Sequence, residues 1–406
     1  MRILHVNKFL YRRGGAEGYM FDLAARQREA GDEVEFFGMR HDENDPMPHE
    51  RWFPPRIDLE PPPDGLGAKA AGAARIMWSR SAAKGMAAVL EAVRPDVVHL
   101  HNIYHQLSPS ILRPVAAAGI PAVMTLHDYK LACPTYRFLD HGEICERCLP
   151  HRFWEPILRR CNNGSLAAST VSAVELTAHT LTGAYRPVRR FICPSRFLLG
   201  KMRQGKVFPA RLRHLPNFVD TTAIEPKATP GGGVLYAGRL SSEKGVDTLV
   251  DAVLTDQALA LDVAGDGPER AALEIRAAPA GERIRFHGRV SAVEVADLLR
   301  GASVAAVPSR WYENMPLAVL EAFGAGVPVV ASGLGGLPEL IEPGVDGAIV
   351  PPDDPAALAA ALRPFVDDPD RAFEMGRAAR LKATAAYDAE GHLARLRAIY
   401  AEAGAT

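Results

Sequence analysis

The sequence predicts an α/β protein built from two doubly wound parallel sheets. Short apolar runs alternate with longer helical patterns along the whole chain, the rhythm of strands joined by crossover helices. The rhythm stops once, at a Pro- and Gly-rich stretch, and then starts again, and 406 residues suffice for two domains that each bury a core. Hydrophobic residues at 48% and charged residues at 23% are the balance of a globular protein, which excludes disorder, collagen-like repeats and coiled coil.

In the first half, strands are expected at Ile3–Val6, Val34–Phe37, Val97–Leu100, Ala122–Leu126 and Phe191–Cys193. The second half restarts with Val234–Ala237, Leu259–Ala264, Ile284–His287, Val304–Val307, Val327–Ala331 and Ala348–Val350. Between them Pro226, Pro230 and three consecutive glycines make 221–233 a hinge, dividing a first domain (1–220) from a second (234–385). Residues 386–406 are expected to form a helix that packs back on the first domain.

Two stretches break the rhythm. From Asp45 to Asp64 seven prolines (Pro46, Pro48, Pro54, Pro55, Pro61, Pro62 and Pro63) predict a long loop of the kind that serves a substrate site. Ala68–Val89 then reads as one helix, with Lys69, Arg75, Arg80 and Lys84 beside Met77, Trp78 and Met86. Such a helix suits an anionic membrane surface, or an ordinary packed helix with a wet face.

Charge is divided unevenly. Residues 1–220 carry 30 Lys and Arg against 22 Asp and Glu, and residues 221–406 carry 17 against 26, which together give the net −1. A basic first half suits an anionic partner such as a phosphorylated acceptor or a membrane surface, and a chance distribution of solvated charges explains it equally. No nucleic-acid partner is expected. The N-terminus has too short an apolar run for a signal peptide, and nowhere do about 20 apolar residues run together, so a cytoplasmic location is expected.

Three motifs could carry chemistry. The first strand leads to Gly14-Gly15-Ala16-Glu17 and a helix, where glycines permit close approach of a ligand and the helix amides can hold phosphate; a tight strand-to-helix turn explains the glycines as well. The second half repeats this device in Gly238-Arg239-Leu240-Ser241-Ser242-Glu243-Lys244-Gly245, whose two cations suit a diphosphate, or else a helix cap with a surface ion pair. Farther on, Glu313-Asn314-Met315-Pro316-Leu317 crosses a loop and opens a helix with Pro316 in its first turn. Glu321 lies inside that helix among Val319, Leu320, Ala322 and Phe323, where a carboxylate needs a partner that sugar hydroxyls could supply.

These motifs, in this order, resemble the retaining, sugar-nucleotide-dependent glycosyltransferases of family 4. The resemblance extends over nearly the whole chain, through Thr125-Leu126-His127-Asp128, Pro194-Ser195-Arg196-Phe197, Pro216-Asn217-Phe218-Val219-Asp220 and Ala264-Gly265-Asp266-Gly267-Pro268. It implies the GT-B fold, two Rossmann-like domains facing a central cleft, with the first binding the acceptor and the second the nucleotide sugar. It also implies that Arg239 and Lys244 bind the donor diphosphate and that Glu321 holds the ribose. Glu313 would contact the transferred sugar, helped by the amides of Asn314, Met315, Pro316 and Leu317 as far as each has one. Gly15 would approach the diphosphate, and His127 would lie near the reacting carbon, unless it is a satisfied core histidine. With His127, Arg239, Lys244 and Glu313 as catalytic groups, the implied reaction is hexosyl transfer to a glycan, lipid-linked or small-molecule acceptor. No Asp-x-Asp motif stands where a diphosphate-bound cation would need it, so the transfer is expected to need no metal. The rival readings are a non-catalytic nucleotide-sugar-binding subunit, a GT-B epimerase, and a phosphorylase, for which the chain is small.

Cys133, Cys145, Cys148 and Cys161 fall within 29 residues, in a segment with few apolar repeats. One Cys-x2-Cys pair with two flanking thiols suits a structural zinc ion, and free thiols or an iron–sulfur cluster are the alternatives. Cys193 is expected in the core.

Overall fold

The structure, a computed structural model, describes residues 1–57 and 65–405. By its contacts the chain divides into two units, Met1–His141 with Cys145–Leu215 and Leu393–Thr406, and Pro216–His392 with Gly142–Ile144.

In the first unit β1 (Arg2–Val6), β2 (Glu33–Phe37), β3 (Val97–Leu100), β4 (Ala122–Thr125), β5 (Val188–Cys193) and β6 (Leu212–His214) form a parallel sheet in the order β2-β1-β3-β4-β5-β6. Every residue of β3 and β4 is buried, as expected where both faces of a parallel sheet are covered. The last part of the chain belongs to this unit: Arg189 Nη1 donates to Ala403 O at 2.7 Å, and Tyr400 is fully buried.

In the second unit β7 (Val234–Ala237), β8 (Leu261–Ala264), β9 (Ile284–Gly288), β10 (Val304–Val307), β11 (Val329–Ser332) and β12 (Gly347–Val350) are again parallel, in the order β9-β8-β7-β10-β11-β12. Side chains alternate across this sheet: Val234 and Tyr236 pack with Leu249 and Val253 on one face, Leu235 with Val319 and Phe323 on the other. The chain order reverses between β7 and β10, and ligands of open α/β sheets bind at the carboxyl ends of strands at such a point.

The structure differs from the sequence reading in several places. The strand β6 was not anticipated; it is a three-residue edge strand whose Arg213 is tied to Glu402 at 2.7 Å. The single helix over Ala68–Val89 is two, Leu66–Met77 and Arg80–Val93, because Trp78 is extended and the Ser79 hydroxyl caps the second by accepting from Ala82 N. The basic face is thereby interrupted, and Arg75 turns to the carbonyl of Pro55. Of the proline-rich stretch, 58–64 lies outside the described residues, whereas Phe53 is buried and its ring centroid is 5.4 Å from that of Phe37. Pro316 occupies the N-cap of the helix Leu317–Gly324, one position before its first turn, since its ψ of 126° is extended. The segment expected as a hinge packs along the second unit, with Lys227 N–H donating to Ala325 O and Lys227 Nζ to Ala302 O. Among the described residues no helix is long and apolar enough to cross a membrane.

Candidate functional site

The loops leaving β7 and β10 meet at the reversal of strand order. After β7 the chain passes Gly238 and Arg239, makes one tight turn at Ser242–Lys244, and enters the helix Val246–Thr255. Gly245 closes that turn with φ +65°, and a Cβ there would lie 2.1 Å from Pro308 O, so only glycine lets the two loops approach. Across this contact Lys244 Nζ donates to Glu313 Oε1 at 2.7 Å, and Ser309 Oγ donates to the same oxygen at 2.7 Å. The ammonium also lies 5.2 Å from the centroid of the Trp311 ring. Glu313 is itself clamped from behind, because Gly336 N–H donates to its carbonyl at 2.7 Å.

Burial alone would push the Glu313 carboxyl up; Lys244, followed by Ser309 and Trp311, outweighs it and holds the group below the usual carboxylate range. Glu313 is therefore an anion whose first duty is to hold Lys244. Arg239 is exposed, and its side chain has no hydrogen-bond or ion-pair partner among the described residues. An unpartnered guanidinium fork thus stands in the same loop as a lysine that is held in place. Glu321 is partly exposed one turn into its helix, while Val319, Leu320, Ala322 and Phe323 are buried. Asn314 and Leu317 are partly exposed. Met315 is buried and serves the interior, accepting from the Asn217 amide through its carbonyl at 3.0 Å.

In the first unit Gly14 and Gly15 precede and open the helix Gly15–Glu29. A Cβ on Gly15 would meet nothing within 4 Å and its φ is not positive, so neither packing nor backbone demands glycine there. Close approach of a ligand remains a reason for it. Glu17 of the same motif is buried and accepts from Asn7 Nδ2 at 3.1 Å, which locks the turn to the end of β1.

His127 ends a chain of imidazoles that the sequence reading missed. His127 Nε2 lies 3.0 Å from His101 Nδ1, His101 Nε2 is 3.0 Å from His5 Nδ1, and His5 Nε2 is 2.7 Å from Gln27 Oε1. Beside them His99 bonds Tyr400 OH at 2.7 Å and Thr125 Oγ1 at 2.8 Å. Three of these rings, those of His5, His99 and His101, bring nitrogens within 4.8 Å of one another, the spacing of a metal site. All six of their nitrogens already have hydrogen-bond partners, so the group is a hydrogen-bonded stack. Burial holds His5 down to about 4 and His127 to about 3, so the rings are neutral at pH 7. For neutral rings the Gln27 oxygen sets every tautomer in turn. His5 donates from Nε2, His101 from Nε2 and His127 from Nε2, which leaves His127 Nδ1 as an acceptor. The His99-x-His101 alternation, in β3 and just past its end, was the available signal; the partners on β1 and on the helix bearing Gln27 come from topology.

Residues 13–223 match the family described as Glycosyltransferase Family 4. The chain belongs to this family. Residues 231–368 match a second description, Glycosyl transferases group 1. The chain is 38% identical over 172 residues to a glycogen synthase of Mycobacterium tuberculosis, covering 41% of each protein. It is 38% identical over 164 residues to a D-inositol 3-phosphate glycosyltransferase of Streptomyces avermitilis, covering 36% of this chain and 34% of that one. The matched stretch thus spans about two fifths or less of these curated relatives. Among solved structures, sucrose-phosphate synthase from Thermosynechococcus elongatus is similar with TM-score 0.74 at 20% identity, covering 99% of this chain and 98% of that one. The Anabaena protein HepE in complex with UDP-glucose is similar with TM-score 0.67 at 18% identity, covering 99% of each. The family member described here therefore has the GT-B fold, with one Rossmann-like sheet in each unit.

Proposed function

We propose that this family 4 protein is a retaining hexosyltransferase that moves a sugar from a nucleoside diphosphate to a carbohydrate, lipid-linked or small-molecule acceptor without a metal ion. The observation that carries the reading is the cation pair at the switch point of the second sheet: Arg239 exposed without a partner among the described residues, and Lys244 held by buried Glu313. A diphosphate leaving group needs its developing charge neutralised, and two cations, one preset and one free to fold onto the ligand, meet that need.

In this reading the acceptor hydroxyl attacks the anomeric carbon on the face from which the nucleoside diphosphate departs. The carbon–oxygen bond to the acceptor forms as the bond to the phosphate oxygen breaks, and the hydroxyl proton passes to that oxygen. Arg239 and Lys244 stabilise the departing phosphate, and Glu321 accepts from the ribose hydroxyls. Glu313 keeps Lys244 oriented, with the loop 314–317 near the transferred sugar. His127 is the polar contact proposed from the first unit, offering an acceptor nitrogen to a sugar hydroxyl.

The test is a donor screen. UDP-, GDP-, ADP- and TDP-sugars, with UDP-glucose first because of the HepE complex, are incubated with the protein in EDTA, and thermal stabilisation, slow hydrolysis and anomeric configuration of product are followed. One donor should stabilise the wild type and be cleaved in EDTA, with loss in Arg239→Ala and Glu321→Ala. Binding without turnover on any acceptor would favour a non-catalytic sugar-nucleotide-binding subunit, and no binding at all would overturn the reading.

A further inference from the structure

The four clustered cysteines take no part in that chemistry. We propose that Cys133, Cys145, Cys148 and Cys161 bind one structural zinc ion in the first unit. They fall within one 29-residue stretch and none is in a disulfide; as a set their sulfurs do not stand within 4.8 Å of one another, so filling the site gathers them. Cys133 and Cys148 are in hydrogen-bond contact through their sulfurs, and Cys145 and Cys161 lie within electrostatic reach of that pair. Backbone amides of Thr135 and Phe138 donate to Cys133 Sγ, the arrangement that orients and stabilises a metal-bound thiolate.

Three further features fit an ion. The segment has a small core: Cys148 and Phe153 pack with Leu176 of the helix Leu166–Thr182, and Phe138 is buried with its ring centroid 5.1 Å from that of Tyr129. It also contains five of the twelve non-glycine residues with positive φ among the described residues, from Tyr136 to Arg160, a backbone that something must hold in place. Four thiolates around Zn2+ leave two negative charges, and Arg159, already bonded to Asp140, stands beside Cys145 and Cys161 to offset them. Cys161 Sγ now lies 3.5 Å from Asp140 Oδ1, so filling the site draws this thiol from the carboxylate to the ion. An all-sulfur tetrahedron selects zinc or iron–sulfur over hard divalent cations, and the single ion suits four ligands.

The experiment reads metal directly and needs no donor or acceptor, so its outcome is independent of the transferase reading. Full-length protein, purified without chelator, is measured by elemental analysis. A mercurial that modifies thiols should release about one zinc per chain, and Co2+ exchanged into the site should give thiolate-to-cobalt charge-transfer absorption with tetrahedral ligand-field bands. Cys145→Ser and Cys161→Ser should each lose most of the metal, whereas Cys193→Ser, on β5, should keep it. Should the serine variants fail to fold, the cobalt spectrum of the wild type still decides. Folded, metal-free wild type with four freely reacting thiols, or a visible iron–sulfur chromophore, would overturn the proposal.

Discussion

Replacing Lys244 by Met keeps the length of the side chain and removes its charge, and two consequences follow from the geometry. Glu313 is buried and loses the ammonium at 2.7 Å, keeping Ser309 as a neutral donor to the same oxygen. Breaking a fully buried ion pair from one side costs about 3–5 kcal/mol. Lys244 keeps 24% of its side chain in water, so the low end applies, about 3 kcal/mol. For a unit of this size that is a drop of about 6–12 °C in Tm. The pH dependence should reverse in sign. In the wild type the depressed Glu313 pKa contributes stability above the ordinary carboxylate pKa, lost as pH falls through the folded value. In the variant burial, no longer outweighed by Lys244, raises the pKa, so the deficit is largest at pH 7 and shrinks as pH falls and the group takes up a proton. The double variant Lys244→Met/Glu313→Gln should regain most of the stability, because a neutral amide needs no cation, yet remain about 10²–10³-fold slower in transfer. Thermal unfolding from pH 4.5 to 8 and single-turnover rates check both arms. A single variant as stable as wild type at pH 7, or a double variant with normal rates, would refute the argument.

Arg239→Ala should leave Tm within about 1 °C, since the side chain is exposed and has no partner among the described residues, while lowering the transfer rate about 10²–10³-fold; a large loss of stability would mean a structural role. Lys130 and Glu175 are both 1% exposed and bonded at 2.7 Å, so Lys130→Met should cost about 3–5 kcal/mol in denaturant unfolding, and Lys130→Met/Glu175→Leu much less. His5 and His127 are held by burial at about 4 and about 3, so the unfolded chain takes up protons first, and stability should fall as pH drops from about 6.5 towards 4. A flat Tm over that window would refute the neutral stack. Long-range proton–nitrogen spectra of histidine-labelled protein should show His127 protonated at Nε2, and an Nδ1-protonated ring would reverse the direction of the chain.

What the sequence made legible, and what it did not, divides along the range of the interactions. Strands such as Val97–Leu100 and Val304–Val307 were readable to the residue because both faces are covered and every position is apolar or sits in the sheet interior. The edge strand Leu212–His214 escaped because Arg213 within it and Arg211 just before it read as loop; their charges are satisfied by the carbonyl of Val188 and by Glu402, far away in sequence. The break at Trp78–Ser79 escaped for a related reason: Ser79 N–H finds its acceptor in Ser108 Oγ, 29 residues on, and helix periodicity carries no trace of that bond.

The candidate site shows the same division more sharply. Arg239, Lys244, Glu313 and Glu321 could be picked out by type and order, yet the family resemblance assigned Lys244 to phosphate and Glu313 to sugar as separate contacts. The structure makes them one unit, through 69 residues of separation, because the strand order reverses between β7 and β10 and the turn at Gly245 lets the loops touch. The distinction bears on mechanism. A lysine already neutralised by a buried carboxylate presents to a diphosphate a fixed dipole rather than a full free charge, and the uncompensated cation of the loop is Arg239. If charge neutralisation of the leaving group limits the rate, Arg239 should therefore matter more than Lys244/Glu313 when both members of the pair are neutralised together. Comparing Arg239→Ala with Lys244→Met/Glu313→Gln in single-turnover transfer puts that ordering to the test: the arginine variant should be the slower, and the opposite order would show that donor binding separates Lys244 from Glu313 and frees its full charge for the phosphate.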